Sequence, residues 1–384
     1  MAQRRTEVAV IGGGVMGSSI AYHLARRGVA VTLLERGDIP CAASAASAGG
    51  VRQQGRDLRE MPLAVASIAR WENLEQELGA DVHYRREGHL TVTEDPDSIE
   101  GLIPWMGDQR ALGLDIRLVE GDDLRELIPG VAPQVVAGTY SPTDGHANPI
   151  LTTKAFAAAA ARHGADIRAH TTVKSIEHDG GCVTGITTDD GTLACDLVVL
   201  AAGAWSMGFA AQLGIELPAV ARAPQMIATT PMPPLLHQVV GARGRMLSLK
   251  QVPSGNYVIG GGWPGTVLME HRMAIPWYGS VLGSLTDSSA IFPELRRARV
   301  ERVWVGVEAQ TFDEVPILGA LPGIANLVVA TGFSGHGFAL SPIIGQVMSE
   351  LIVDGTPSIE ISQLGFTRFD GVEIPKEWQA LRAG

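Results

Sequence analysis

The sequence predicts an α/β protein in which buried parallel strands and helices form one module and a mostly antiparallel sheet forms a second. Three observations predict it. A β-branched apolar run, Glu7 to Ile11, leads into Gly12-Gly13-Gly14-Val15-Met16-Gly17 and then into a helical pattern with Ile20 and Leu24 on one face. Two later runs, Leu197 to Ala202 and Leu327 to Thr331, are continuously apolar, as strands covered on both faces are. Between them lie short alternating segments separated by turn residues, the pattern of antiparallel strands.

Taken in order, Val29 to Leu34 reads as a second strand ending at Glu35, and Gly28 as the C-cap of the helix before it. Strand, turn, helix and strand make a βαβ unit of about 30 residues. From about Ala46 to Asp144 the texture changes to a helix over Pro62 to Leu78 and alternating runs at His89 to Thr93 and Val135 to Tyr140. Ile150 to His163 is helical, and Asp166 to His170, Val173 to His178 and Val183 to Thr188 read as three short strands. Ala219 to Thr230, Met246 to Gln251, Tyr257 to Gly260 and Arg302 to Gln310 alternate again, so the second module is assembled from two separated stretches. After Leu327 to Thr331 comes a glycine-rich turn and a helix over Pro342 to Val353, with Ser341 as N-cap and Pro342 in the first turn.

With 384 residues, of which 46% are hydrophobic and 18% charged, the chain buries enough apolar surface for two domains and is not a disordered protein. Thirty Lys and Arg against 41 Asp and Glu leave a net charge of -11 with no basic stretch, which argues against nucleic acid as a partner. Cys41, Cys182 and Cys195 lie far apart, without a CxxC or a histidine cluster. No structural metal or disulfide framework is expected, and a reducing cytoplasm fits. No apolar run approaches the ~20 residues that span a bilayer. The amino-terminal run, interrupted by Glu7 and glycines, reads as the first strand rather than as a leader.

Gly12, Gly14 and Gly17 satisfy G-x-G-x-x-G. The first glycine allows the tight turn, the second lets backbone N–H groups approach a pyrophosphate, and the third lets helix and strand pack closely. An anion then sits on the helix N-terminus. Glu35 follows at the distance of an acid that bonds ribose hydroxyls. A second glycine-rich element, Thr331-Gly332-Phe333-Ser334-Gly335-His336-Gly337-Phe338, also opens onto a helix, whose N-terminus favours negative charge.

These elements, with Val198-Val199-Leu200-Ala201-Ala202-Gly203-Ala204-Trp205 and the run Asp313 to Gly319, make nearly the whole chain resemble the D-amino-acid oxidase-type FAD flavoproteins. Within them it is most similar to the sarcosine oxidase, glycine oxidase and opine oxidase branch. The resemblance implies a glutathione reductase-type FAD-binding domain from residues 1–45, 145–218 and 315–384, and a mostly antiparallel β substrate domain from 46–144 and 219–314. It implies that FAD is held noncovalently by Gly12, Gly14, Val15, Met16 and Gly17 at the first turn and by Glu35 and Arg36 after the second strand. Ser44, Ala48, Gly49, Val173, Ala202 and Gly203 follow, and then Gly332, Gly335, His336, Gly337 and Phe338 of the last glycine loop, whose helix would stabilise charge on the reduced flavin. The implied activity is oxidation of a secondary amine of the iminodiacetate, sarcosine or opine type. A hydride passes to flavin N5, and the imine hydrolyses to an oxoacid such as glyoxylate plus an amine. Electrons then pass to O2 or to an electron-acceptor protein, and some members of this branch work with additional subunits. Two alternatives share the resemblance: an FAD-dependent 2-hydroxyacid dehydrogenase, and a flavin-binding subunit of a larger amine dehydrogenase.

Residue by residue, Arg52 falls where sarcosine oxidase-like enzymes grip the substrate carboxylate, a task suited to a guanidinium; the alternative is a surface arginine. His336 lies beside the flavin ring, either in a chemical role or shaping the loop. Gly306 stands where monomeric sarcosine oxidases carry a flavin-linked cysteine, and Ala339 where they carry a carboxylate-binding lysine. Glu308 replaces an arginine of glycine oxidase-like members: facing the flavin it favours a cationic or donating group, and turned away it pairs with a base such as Arg302. Arg243, Arg245 and Lys250 are candidates for a second carboxylate anchor, and Lys250 also for a cation that promotes reaction with oxygen. His146 reads as a junction residue, while His89 and His271 have no contextual support.

Overall fold

A computed structural model describes residues 5–375 and Trp378; the outer ends of the predicted segments 1–45 and 315–384 lie outside the described residues. The first strand, Arg5–Ile11, sends Val8 and Val10 into one hydrophobic cluster and Ala9 and Ile11 into another on the opposite face. A sheet covered on both sides requires this, and it explains the lack of polar alternation in the sequence. The strand pairs in parallel with Val31–Leu34 on one side and with Gly191–Leu200 on the other. Asp166–Arg168 and Leu327–Thr331 continue the parallel set at either flank. Ile317–Ala320 closes one edge antiparallel, and Val173–Asp179 with Cys182–Thr188 forms an antiparallel ribbon beside the long strand. The helices Val15–Arg26, Pro149–Arg162 and Gly337–Asp354 pack side by side against this sheet. The first and last approach so closely that a Cβ on Gly345 would stand 2.1 Å from Ser19 Oγ.

The second sheet also has eight strands. It is antiparallel throughout except where Val239–Ala242 runs beside His89–Thr93. Its core is Leu90, Val92, Leu249, Tyr257, Ile259 and Phe292, with the helix Tyr278–Ile291 packed against it. The chain passes between the two sheets four times, and the crossing segments pair two by two: Gly50–Val51 with Gly145–His146, and Ala219–Arg222 with Glu308–Thr311. No helix among the described residues is long and apolar enough to cross a membrane.

Several boundaries differ from the sequence reading for identifiable reasons. The first helix is capped by Arg27, and Gly28, with φ 81°, lies one position beyond. The helix over Pro62 to Leu78 is two, Met61–Trp71 and Leu74–Leu78, broken where Asn73 leaves helical geometry (φ −114°, ψ 3°). The last helix begins at Gly337 rather than Pro342, and its N-cap is His336 rather than Ser341. Proline has no N–H for the carbonyl four residues back, which here belongs to Phe338. Ser341 Oγ donates to that carbonyl instead (2.9 Å), so the helix runs through Pro342.

Candidate active site

The first glycine turn leaves no room for side chains. A Cβ on Gly12 (φ 109°) would lie 2.5 Å from Ala201 O, and one on Gly17 would lie 1.9 Å from Gly12 O. The helix N-terminus therefore opens directly onto a cavity of about 1230 Å³. Glu35, buried at the end of the second strand, accepts hydrogen bonds from Gly13 N (2.8 Å) and Gly37 N (3.0 Å). Val15 N donates to Ser44 Oγ (3.0 Å), which ties the following segment to the turn. Arg36 stacks over Trp205, 3.8 Å from the ring centroid, and both line the cavity. The N-terminus of the last helix opens on the same cavity, so two positive helix ends face one space.

At the end nearest that last helix the cavity gathers charge. Arg52 and Arg56 both line it. Arg56 Nε and Nη2 donate to Arg52 O (3.3 and 3.2 Å), while Arg56 Nη1 is buried with no hydrogen-bond partner among the described residues. Burial and the neighbouring Arg52 push the Arg56 guanidinium down to about 9. Two buried carboxylates answer these cations. Asp144 accepts from Gln53 N (2.9 Å) and is pushed up to about 6 by burial, against Gln53, Gln54 and Arg52. Glu60, the N-cap of the helix Met61–Trp71, lies 3.2 Å from His336 Nδ1 through Oε2 and is pushed up to about 7 by burial. His336 is held well below its ordinary value by burial and by Arg56 and Arg52, so it is neutral. His89 is neutral too: Gln54 Nε2 donates to its Nδ1 (2.8 Å), because Gln54 Oε1 is occupied by Thr139 Oγ1 (2.9 Å). Glu308 lines the cavity beside these groups, accepts a bond from Gly335 N and is pushed up to about 7 by burial. Its partner in strand register is Arg222, which also lines the cavity and has a buried Nε without a hydrogen-bond partner among the described residues.

Of the residues expected around the cofactor, all but Gly17 line this single cavity: Gly12, Gly14, Val15, Met16, Glu35, Arg36, Ser44, Ala48, Gly49, Val173, Ala202, Gly203, Gly332, Gly335, His336, Gly337 and Phe338. Gly17 acts instead through the close packing behind the turn. Arg52, Glu308 and His336 line the same cavity, and Arg302 stacks on Trp304 (5.3 Å) rather than pairing with Glu308. Lys250 does not line the cavity: it lies behind the wall, with Nζ 3.3 Å from where a Cβ on Gly49 would be and His146 nearby. Arg243 and Arg245 lie outside the lining as well. Arg243 stacks on Trp105 (5.2 Å), and Arg245 is neutralised by Glu94 and Asp287, so neither serves as a second anchor. At Gly306 a Cβ would meet that of Ala46 at 2.4 Å, so no side chain fits there. Sequence reasoning passed over Arg56, Glu60 and Arg222 and dismissed His89. The only signal for the first two was the density of charge between Arg52 and Glu60.

The residues fit a flavin dinucleotide. Donors for a pyrophosphate sit at the first helix N-terminus, Glu35 closes the second strand, and Gly14 and Gly337 leave cradles that a Cβ would fill to within 3.1 Å of Ser44 Oγ and 3.0 Å of Met16 Cε. The chain is 28% identical to glycine oxidase of Geobacillus kaustophilus over 377 residues, covering 96% of this chain and 98% of that protein. It is 29% identical to 4-methylaminobutanoate oxidase (formaldehyde-forming) of Paenarthrobacter nicotinovorans, covering 94% of this chain but only 45% of that longer protein. Among solved structures, L-proline dehydrogenase from P. horikoshii superposes with a TM-score of 0.91 at 27% identity, covering 97% of this chain and 100% of that one. The family described as DAO, FAD dependent oxidoreductase, matches residues 7–351. With nine-tenths of its length in that match and the cavity built to suit, the chain belongs to the DAO family of FAD-dependent oxidoreductases.

Proposed function

We propose that this enzyme oxidises a small amine that carries a carboxylate, with a secondary amine of the N-substituted glycine type (iminodiacetate, sarcosine or an opine) as substrate. The observation that carries the reading is the Arg52–Arg56 pair, two guanidiniums that line the cavity, Arg56 buried with its Nη1 unpartnered among the described residues. A carboxylate satisfies such a pair with charge-assisted hydrogen bonds in a fixed orientation. Bound FAD, held without a covalent link, supplies a two-electron hydride acceptor.

The protein's own groups then orient the amine. With the carboxylate on Arg52 and Arg56, the amine one carbon away comes to His336, whose neutral ring accepts rather than repels it. Glu308 presents a carboxyl to the cavity from the Gly335 turn. Ionised, it favours a donor on the substrate and repels a second carboxylate there, so both carboxylates of a substrate such as iminodiacetate share the arginine end. The relatives that act on amines support the class, and the arginine pair supports the carboxylate. The test is to mix air-free protein with iminodiacetate, sarcosine, octopine, D-proline, glycine and 2-hydroxyglutarate in turn and follow the visible flavin band. Fast bleaching by a secondary amine is expected, and recovery on admitting air marks an oxidase. Bleaching by 2-hydroxyglutarate alone would overturn the amine reading.

A further inference from the structure

A carboxylate-bearing amine brings a chemical difficulty with it. An alkylammonium loses its proton only near pH ~10, so at neutral pH about one molecule in a thousand is the neutral amine from which hydride can leave. Four carboxylates and imidazoles on the cavity wall are able in principle to take that proton. Glu35 is far down the first glycine turn and spent on Gly13 N and Gly37 N. His89 has its Nδ1 lone pair occupied by Gln54, which leaves only a donor. Glu308 and His336 remain, and it is His336 that stands within the field of Arg52 and Arg56, the groups that fix the carboxylate and with it the adjacent nitrogen.

We infer that Glu60 and His336 form a two-group proton relay, in which His336 Nε2 takes the proton of the substrate ammonium while His336 Nδ1 passes its own to Glu60. The inference rests on the amine reading above. Glu60 is fully buried behind the histidine, with Oε2 3.2 Å from Nδ1 and Oε1 without a hydrogen-bond partner among the described residues, so the ionised carboxyl is only partly satisfied. Burial has already raised its proton affinity toward neutrality. An ionised Glu60 accepts Nδ1–H and leaves the Nε2 lone pair toward the cavity, which is the tautomer able to receive. The transfer makes one N–H and one O–H bond and breaks two N–H bonds: substrate ammonium, neutral histidine and carboxylate become neutral amine, neutral histidine and carboxylic acid. No oxidant or other reactant takes part.

The surrounding charges allow this. Arg52 and Arg56 face the pair from its own loop, and Asp144 balances Arg52 from the facing strand pair. Asp57 and Arg59 bond each other, Arg59 and Arg368 share Asp313, and Glu308 lies beyond Gly335. With two arginines against Asp144 and Glu60 the empty cluster is neutral. Protonating Glu60 leaves one positive charge against the bound substrate carboxylate, so the relay creates no net charge in the buried space.

The test compares wild type, Glu60→Gln and His336→Asn, each loaded with FAD and checked for an unchanged flavin spectrum. The first readout is the rate of flavin bleaching by the reactive amine across pH. Wild type rises through an ionisation near neutral pH and then stays level. Both variants lose that ionisation, fall on the order of a hundredfold at neutral pH, and climb about tenfold per pH unit toward the ionisation of the amine itself. A merely structural role lowers the rate by the same factor at every pH, and that result would overturn the relay. The second readout needs no substrate: an infrared carboxylic C=O band that titrates near neutrality in wild type, is missing in Glu60→Gln and is displaced in His336→Asn. Its absence from wild type sinks the relay. Its presence in a protein that no amine bleaches upholds the coupled pair and sinks the amine assignment.

Discussion

Lys250 is a buried ammonium in the strand Ser248–Gln251, 6% exposed and without an acidic partner among the described residues. Burial alone pushes it from 10.5 down to about 7. Replacing it with methionine, an unbranched side chain of similar reach, removes the charge and keeps most of the packing. The 3.5-unit depression, the difference between those two values, corresponds to about 5 kcal/mol at ~1.36 kcal/mol per unit, an upper bound on the cost of the charge. The sign follows from proton counting. Between about 7 and 10.5 the unfolded chain holds more of this proton than the native one, so stability rises with pH there. Below about 7 the full cost is present, and above 10.5 none of it is. Lys250→Met is therefore expected to gain up to about 5 kcal/mol at pH ~6 and nearly nothing at pH ~10.5. For 384 residues at about 2.1 cal/mol/K each, that gain raises Tm by about 6 °C. Thermal unfolding of both proteins at the two pH values reads it directly. An equal gain at both, or a loss at the lower pH, would refute the reasoning, because either would mean that the ammonium is compensated in the folded protein.

Arg52→Ala is expected to raise KM for a carboxylate-bearing amine on the order of a hundredfold, the worth of about 2.7 kcal/mol of charge-assisted hydrogen bonding; an unchanged KM in steady-state kinetics would remove Arg52 from substrate binding. Glu308→Gln tests a carboxyl raised from 4.5 to about 7, whose stabilising contribution is complete below 4.5 and lost as pH rises through about 7. The variant should therefore match wild type only near or below pH ~4.5, pull ahead as pH rises from there, and exceed it above neutrality by up to about 3 kcal/mol, measured by urea unfolding. Gly17→Val puts a side chain 1.9 Å from Gly12 O, and it should purify colourless, with the ratio of flavin to protein absorbance as the measure.

What the sequence disclosed and what it hid follow from how far apart the interacting residues lie. The first turn was legible because Gly12, Gly17 and Glu35 sit within one βαβ unit whose spacing is fixed by the geometry of strand and helix. Both glycine loops reach the cavity for the same local reason. The start of the last helix was misplaced because Ser341-Pro342 carries the chemistry of a helix start, and only the structure shows the serine hydroxyl serving the Phe338 carbonyl. Arg245 looked free because Glu94 and Asp287 reach it from distant parts of the chain. The pairing of Glu60 with His336 joins residues 276 apart, and no spacing rule covers such a distance. His89 was set aside for the same reason: its state is written by Gln54 and Thr139 on other elements.

The two strand pairs at the crossings have a consequence for how such a protein changes over time. Residues 52–144 leave the nucleotide-binding sheet and return to it between paired segments, and residues 223–307 do the same, so each excursion is pinched shut at its base. An insertion whose ends already meet is geometrically a long loop on an otherwise continuous host, and hosts tolerate such loops well. Exchanging one excursion for that of a relative, cut at its own strand pair, would leave the glycine turn, Glu35 and the terminal loop in place. The chemistry of electron transfer and the choice of substrate are then separable units of inheritance, with Arg52 and Glu308 standing at the seams where one is stitched to the other.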